Sequence, residues 1–327
     1  MKFLFDNRDS TDPALNLALE EYAVRNIDIS HDYVLLYVNS PAVVVGRHQN
    51  IYEETDILSA RRYAVQLMRR ISGGGTVYHD PGNINFSFVT RHEKFKFNNY
   101  RYFNEPVISA LKAIGINAEL NGRNNIVVGD YKISGNAQFT SKDRMVSHGT
   151  LLFDANLDRL NTILKPGSKE IESRAVKSVP SNVINIRDIL KGQWNIAEFK
   201  KYLLKHIFDS EKNIPVHKFA DEQWEEIYRL AENKYRQWDW IFGESPAFFF
   251  RNEISEGDIT LTIELEVKKG RITQVKLNGS LMNSIYQKKL SDRLLQCRFD
   301  PEEIRTKLGE MSTDPLPLDA WRKLLFA

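Results

Sequence analysis

Apolar residues recur along this chain in two alternating periods. Residues 13–25 set Ala14, Leu17, Ala18 and Tyr22 on one face, the spacing of a helix, and Thr11 and Asp12 ahead of Pro13 supply its start. The runs 33–38 and 42–45 are β-branched and aromatic and are split by Ser40 and Pro41, which predicts two strands. A helix over 52–63, a strand over 65–71, strands over 76–79 and 84–90, and a helix over 100–114 ended by Gly115 follow by the same reasoning. Gly129 and Asp130 lie between two short apolar runs, 126–128 and 131–134, and predict a tight hairpin with Lys132 just past its turn.

Helical spacing returns over 158–164, 199–208 and 221–235. The aromatic stretch 238–250 is interrupted by Gly243 and Pro246, which predicts no regular element there and a domain boundary near Ala247. Beyond it, strands over 259–267 and 272–277 flank a turn at 268–270, and helical segments follow. The fold class expected is α/β (α+β). A large domain, 1–246, holds a mixed, mostly antiparallel sheet flanked by helices, and a small α+β domain spans 247–327. A chain of 327 residues suits that division, since single cores seldom grow past about 250–300 residues.

Composition narrows the class. With 42% apolar and 27% charged residues the chain is globular in type, and 45 Lys and Arg against 43 Asp and Glu advertise no nucleic-acid partner. No apolar run is long enough for a membrane span, and no secretory leader is evident. The single cysteine, Cys297, forms no intrachain disulfide, so the expected setting is cytoplasmic. In its apolar and basic surroundings Cys297 reads as a small buried hydrophobe.

Two segments carry candidate chemistry. In the first, RRISGGGTVYHDPGN at 69–83, three glycines remove every side chain at a bend between strands, so backbone amides can approach an anion or an acyl chain. Taken alone, the glycines equally suit an ordinary glycine-rich hairpin. Neither the dinucleotide fingerprint nor the Walker pattern fits. In the second, GDYKISGNAQ at 129–138, Lys132 stands near a small-residue bend, where an ammonium can hold a phosphate and an acyl oxygen as charge shifts between them. An exposed hairpin lysine is the plainer alternative.

Together these segments resemble the lipoate–protein ligase family. Arg69, Arg70, Ser72 to Gly75, Val77 to Asp80 and Gly82-Asn83 match its first motif, Lys132 to Ala137 its second, and His148 to Leu152 a third. The resemblance covers at least residues 12–186 and extends more loosely through 240–248 into the C-terminal domain. It implies that lipoate is activated with ATP to an acyl-adenylate and passed to a lysine of an acceptor. The acceptors implied are E2 lipoyl domains of 2-oxoacid dehydrogenases and the glycine-cleavage H protein, with a monomeric enzyme expected. Arg70 and the backbone of Gly75, Thr76, Val77 and Tyr78 would hold the adenylate, with Asn83 near the phosphate. Lys132 would touch both acyl carbonyl and α-phosphate. Ser72, Gly73, Gly74, His79, Ala137 and His148 would border the lipoyl channel. Mg²⁺ is the expected counter-ion, since two anions must meet.

Two departures stand out. The family's G-R-N-D run is Gly122, Arg123, Asn124, Asn125 here, so an amide replaces a carboxylate and the metal ligands stay unassigned. The later S-K-G-x-x-S-V-x-S-R-V run lacks its second basic residue, with Asn182 in that place. Rival readings are a lipoyl or octanoyl transferase of the same fold, using preformed lipoyl-adenylate or another acyl donor, and a non-catalytic lipoate sensor. A biotin ligase would show a G-R-G-R run, which is absent.

Overall fold

Alternation gives the strand Asn83–Arg91 two unlike faces, and both are buried. Ile84, Phe86 and Phe88 enter an apolar core with Val34, Leu36, Met145 and Leu151. The helices Tyr100–Ala113 and Ile196–Phe208 cover that core through Phe103, Val107, Leu111, Phe199 and Leu203. The intervening residues Asn83, Asn85 and Ser87 are polar and equally buried, and they face the other way. A buried polar row is uncommon and marks where a ligand or a hydrogen-bond network must lie.

The computed structural model describes residues 1–122, 124–164, 170–209, 213–256, 259–279, 284–309 and 318–326. They fall into two units: Met1–Arg47, Val65–Leu160 and Ser178–Gln237 in the first, and His48–Ala64, Asn161–Lys177 and Trp238–Ala327 in the second. The first unit holds an eight-stranded sheet in the order Val216–His217, Lys2–Phe5, Asp32–Val38, Asn83–Arg91, Arg144–Leu152, Tyr131–Ser141, Asn125–Val128, Ala118–Asn121. Lys2–Phe5 pairs in parallel with both neighbours, and the other pairings are antiparallel. The expected mixed, mostly antiparallel sheet flanked by helices is present. A separate three-stranded sheet places Ala42–Val45 between Gln66–Arg69 and Val77–His79.

The second unit has its own antiparallel sheet, Glu170–Ser173, Phe248–Glu256, Ile259–Lys268 and Arg271–Gly279. Leu261, Ile263, Leu265 and Val267 bury one face of it. Tyr52, Phe248 and Phe299 pack together with ring centroids 5.0–5.7 Å apart. Helices Ser284–Leu294, Pro301–Gly309 and Leu318–Phe326 complete the unit.

Two expectations need correction here. The helix read over 52–63 is two short helices, Ile51–Glu54 and Ile57–Arg62, because Asp56 caps a new start by accepting from the Ser59 N–H at 2.9 Å. The stretch 238–250, read as irregular, contains a π-helical turn at Asp239–Gly243 and the start of the strand Phe248–Glu256. Its aromatics have a packing role: a Cβ on Gly270, at φ +69, would come within 2.5 Å of the Trp238 ring. Cys297 is buried, and its thiol donates to the Arg293 carbonyl at 3.0 Å.

Candidate active site

The triple glycine does not close a hairpin. Gln66–Arg69 and Val77–His79 pair with Ala42–Val45 from opposite sides, so residues 70–76 cross over the end of that central strand. The crossing is close: a Cβ on Gly46 would fall 2.2 Å from the Gly74 carbonyl oxygen. Backbone bonds anchor both limbs, Arg70 N–H to Val45 O at 3.1 Å and Arg47 N–H to Ser72 O at 2.8 Å. Gly74 itself stands at φ +86, where a side chain would be strained.

Arg70 braces this loop from within. Its Nε donates to Ser72 Oγ at 2.9 Å, Nη1 to Val44 O at 2.9 Å, and Nη2 to Gly73 O and Gly75 O at 2.6 and 2.7 Å. A planar fork suits several fixed acceptors at once, which a lysine would not. Burial lowers the Arg70 pKa to about 10, opposed chiefly by the charge of Glu20. Arg69 is fully buried as well and donates to Gly46 O at 3.0 Å.

Lys132 is the second residue of the strand Tyr131–Ser141, and its backbone is bonded by residues 182–184. Its N–H donates to Asn182 O at 2.8 Å, and its carbonyl accepts from Ile184 N–H at 3.3 Å. The side chain folds back over Gly135, where a Cβ would sit 3.2 Å from Nζ. Among the described residues no hydrogen-bond or ion-pair partner meets that ammonium. Burial lowers its pKa, and the positive charge of Arg70 lowers it further. An ammonium held in such a place gains most from an anion brought beside it.

The same space collects the other candidates. Ala137 pairs directly with His148, and a Cβ on Gly74 would lie 3.7 Å from that of Ala137 and 3.2 Å from Arg70 Nη2. His148 Nε2 lies 2.7 Å from Ser72 Oγ. Thr76 N–H donates to Ser178 Oγ at 2.9 Å, and a Cβ on Gly75 would stand 3.1 Å from that oxygen. Val77 shares the face of its strand with His79, whereas Tyr78 points the opposite way, so only its backbone adjoins the loop. Burial, with Asp80 second, raises the Tyr78 pKa to about 12. Asn83 is turned to its neighbour instead, donating to Asn85 Oδ1 at 3.0 Å.

Several residues of this site carry no legible signal in the sequence. Glu20 lies on the buried helix Pro13–Asn26 and meets His148 Nδ1 at 2.9 Å, the hydroxyl of Tyr37 at 3.4 Å, and the hydroxyl of Ser87. Gly46 and Asn39 escape sequence reasoning too, because each acts through a partner distant along the chain, whereas Ser178 falls within the later family run S-K-G-x-x-S-V-x-S-R-V. Among the described residues no group of three or more His, Cys, Asp or Glu could hold a metal ion. Asp80 is committed to the N–H groups of Gly82 and Asn156, both at 2.8 Å, and among the described residues no carboxylate acts on Lys132. Arg123 lies outside the described residues. The described residues therefore do not by themselves form a protein cage for Mg²⁺.

Comparison with known proteins fixes the family. Residues 12–208 match the lipoyl protein ligase A/B catalytic domain, and 245–317 match the bacterial lipoate protein ligase C-terminus. The chain belongs to the lipoate–protein ligase family. It is 42% identical to lipoate–protein ligase 1 of Staphylococcus aureus, over 95% of this chain and 94% of that one. It is 43% identical to the lipoate–protein ligase LplJ of Bacillus subtilis, over 84% and 83%. A crystal structure of Plasmodium falciparum LipL1 in complex with lipoate shares the fold, with a TM-score of 0.62 at 22% identity, covering 99% of this chain and 98% of that one. A lipoate–protein ligase A bound with ATP does likewise, with a TM-score of 0.61 at 24% identity, over 75% and 97%. No helix among the described residues is long and apolar enough to cross a membrane.

Proposed function

We propose that this chain joins lipoate to ATP as lipoyl-adenylate and then transfers the lipoyl group to a lysine of an acceptor protein. The observation that carries this reading is the half-buried ammonium of Lys132, which meets no partner among the described residues, beside a glycine loop braced by Arg70. In the first step a carboxylate oxygen of lipoate attacks the α-phosphorus and pyrophosphate leaves. Lys132 offsets the repulsion between the two anions, and the loop backbone from Gly75 to Tyr78 borders the nucleotide. In the second step the acceptor amine attacks the acyl carbonyl, and AMP leaves as Lys132 stabilises its phosphate. Ser72, Gly73, Gly74, His79, Ala137 and His148 border the acyl chain.

Lipoyl domains of E2 subunits and the glycine-cleavage H protein are the acceptors we infer, acting with a monomeric, cytoplasmic enzyme. Mg²⁺ enters with ATP, and no step is assigned to it. The functional division we adopt is a catalytic part, 1–246, and an accessory part, 247–327. The buried thiol of Cys297, bonded to a carbonyl, gives a thioester route no nucleophile. The test combines pyrophosphate release from ATP and lipoate with mass-spectrometric labelling of an acceptor lipoyl domain. Labelling only from supplied lipoyl-adenylate, with no pyrophosphate released, would replace the ligase reading with a transferase.

A further inference from the structure

A chain of three buried asparagines ends on His79. Asn7 Nδ2 donates to Asn16 Oδ1 at 3.0 Å, Asn16 Nδ2 donates to Asn39 Oδ1 at 2.8 Å, and Asn39 Nδ2 lies 3.0 Å from His79 Nδ1. The direction of such a chain needs a fixed reference, and the Ser10 carbonyl supplies it. A carbonyl can only accept, and this one takes bonds from Asn7 Nδ2 at 3.1 Å and Asn16 Nδ2 at 2.9 Å. With those amino groups pinned, Asn39 presents its oxygen to Asn16 and its amino group to His79. Nδ1 of His79 must then accept, and the proton of the neutral ring sits on Nε2.

That Nε2–H is buried and has no hydrogen-bond partner among the described residues. A native interior seldom leaves such a donor unpaired, so this buried N–H is a group that an acceptor atom of a ligand can meet. His79 lies on the same strand face as Val77, whose Cγ1 is 4.0 Å from the Cβ position of Gly135, the glycine over which Lys132 folds. The ring therefore faces the strand that carries Lys132 and Ala137. Burial, with Arg70 and then His148 adding to it, lowers the His79 pKa to about 3, which keeps the ring neutral.

We propose that Asn39 is a positioning residue: through this chain it holds His79 as a neutral Nε2–H donor to a carboxyl oxygen of the acyl substrate. The inference rests on the reading of this pocket as the acyl site. Within a lipoyl group the methylenes accept nothing and the sulfurs accept weakly, so the carboxyl oxygen is the acceptor a fixed N–H suits.

The experiment is ¹⁵N-edited NMR of the full chain with labelled histidine, the His79 signals being assigned by comparison with His79→Gln. The wild type should show the Nε2–H tautomer at neutral pH, and both lipoate and octanoate should shift that resonance. Asn39→Asp, whose carboxylate only accepts, should move a proton to Nδ1. Asn39→Leu should leave a mixture of tautomers and raise KM for lipoate about tenfold, the loss of about one hydrogen bond. A wild-type ring carrying its proton on Nδ1, or an Nε2–H that stays in place or responds to lipoate alone when calorimetry shows both acids bound, would overturn the proposal. The wild-type spectra decide the matter even where a variant fails to fold. Failed acceptor labelling alongside an Nε2–H that responds to both acids would instead count against the ligase reading alone.

Discussion

Glu20 Oε2 and His148 Nδ1 lie 2.9 Å apart although 128 positions separate them in the chain. The contact continues through His148 Nε2 to Ser72 Oγ at 2.7 Å, and from there to Arg70 Nε at 2.9 Å. A carboxylate on a buried helix is thus linked to the arginine that braces the glycine loop. Substituting Glu20→Gln keeps the shape and removes the charge. Hydrogen bonds to charged groups contribute about 1.5–3 kcal/mol, so thermal unfolding should show a loss of about that size, with KM for lipoate raised more than kcat is lowered. An unchanged melting curve and unchanged KM would mean that Glu20 is a bystander.

Lys132→Met keeps much of the side-chain length and deletes the cation. Losing one fixed electrostatic contact of this kind costs about 2.7–4 kcal/mol in the transition state, or about 10²–10³ in rate. Pyrophosphate release and labelling from supplied lipoyl-adenylate, measured separately, should both fall by that order. On the role proposed above, the protonated lysine is the active form in the wild type, and its pKa is lowered from 10.5 by burial and by Arg70. Rate should therefore fall as pH rises through that lowered value, earlier than for a free lysine. An alkaline limb that stays in place when Lys132 is replaced belongs to another group.

Arg70→Ala would strip bonds from Ser72 Oγ and from the carbonyls of Val44, Gly73 and Gly75. Each buried acceptor left without a partner costs about 1–3 kcal/mol. The variant should melt at a lower temperature and show a KM for ATP raised more than that for lipoate, since on the function proposed above the loop backbone that borders the nucleotide is no longer held. Calorimetry together with steady-state kinetics in ATP would check both. A stable variant with an unaltered ATP response would show that the loop holds its shape unaided.

Gly149→Ala tests the sheet beneath the site. A Cβ there would fall 2.0 Å from Asn136 Oδ1 and 2.6 Å from the Phe86 ring. Asn136 also donates to Asn124 O at 2.9 Å and Ser134 Oγ at 3.1 Å, so it cannot retreat freely. Overpacking of this kind costs about 1–3 kcal/mol, and the melting temperature should drop accordingly. Retention of wild-type stability would place a void where the packing shows none.

Local pattern by itself settled much of this protein. The helix after Asp12-Pro13, the strands on either side of Ser40-Pro41 and the hairpin at Gly129-Asp130 are where the sequence puts them, because caps, β-branched runs and turn residues act within a few positions. The motifs at 69–83 and 132–137 identified the family for the same reason: their residues are contiguous. Tertiary structure decided how those motifs are arranged. Only strand order shows that the triple glycine crosses a strand instead of closing a hairpin, and only packing shows why Gly46 must lack a side chain. Burial turned Glu20 and Asn39, ordinary polar residues in the sequence, into partners of His148 and His79. A charge or an amide acquires its role from what surrounds it once water is excluded, and those surroundings are assembled from segments 40 and 128 residues apart in these two cases.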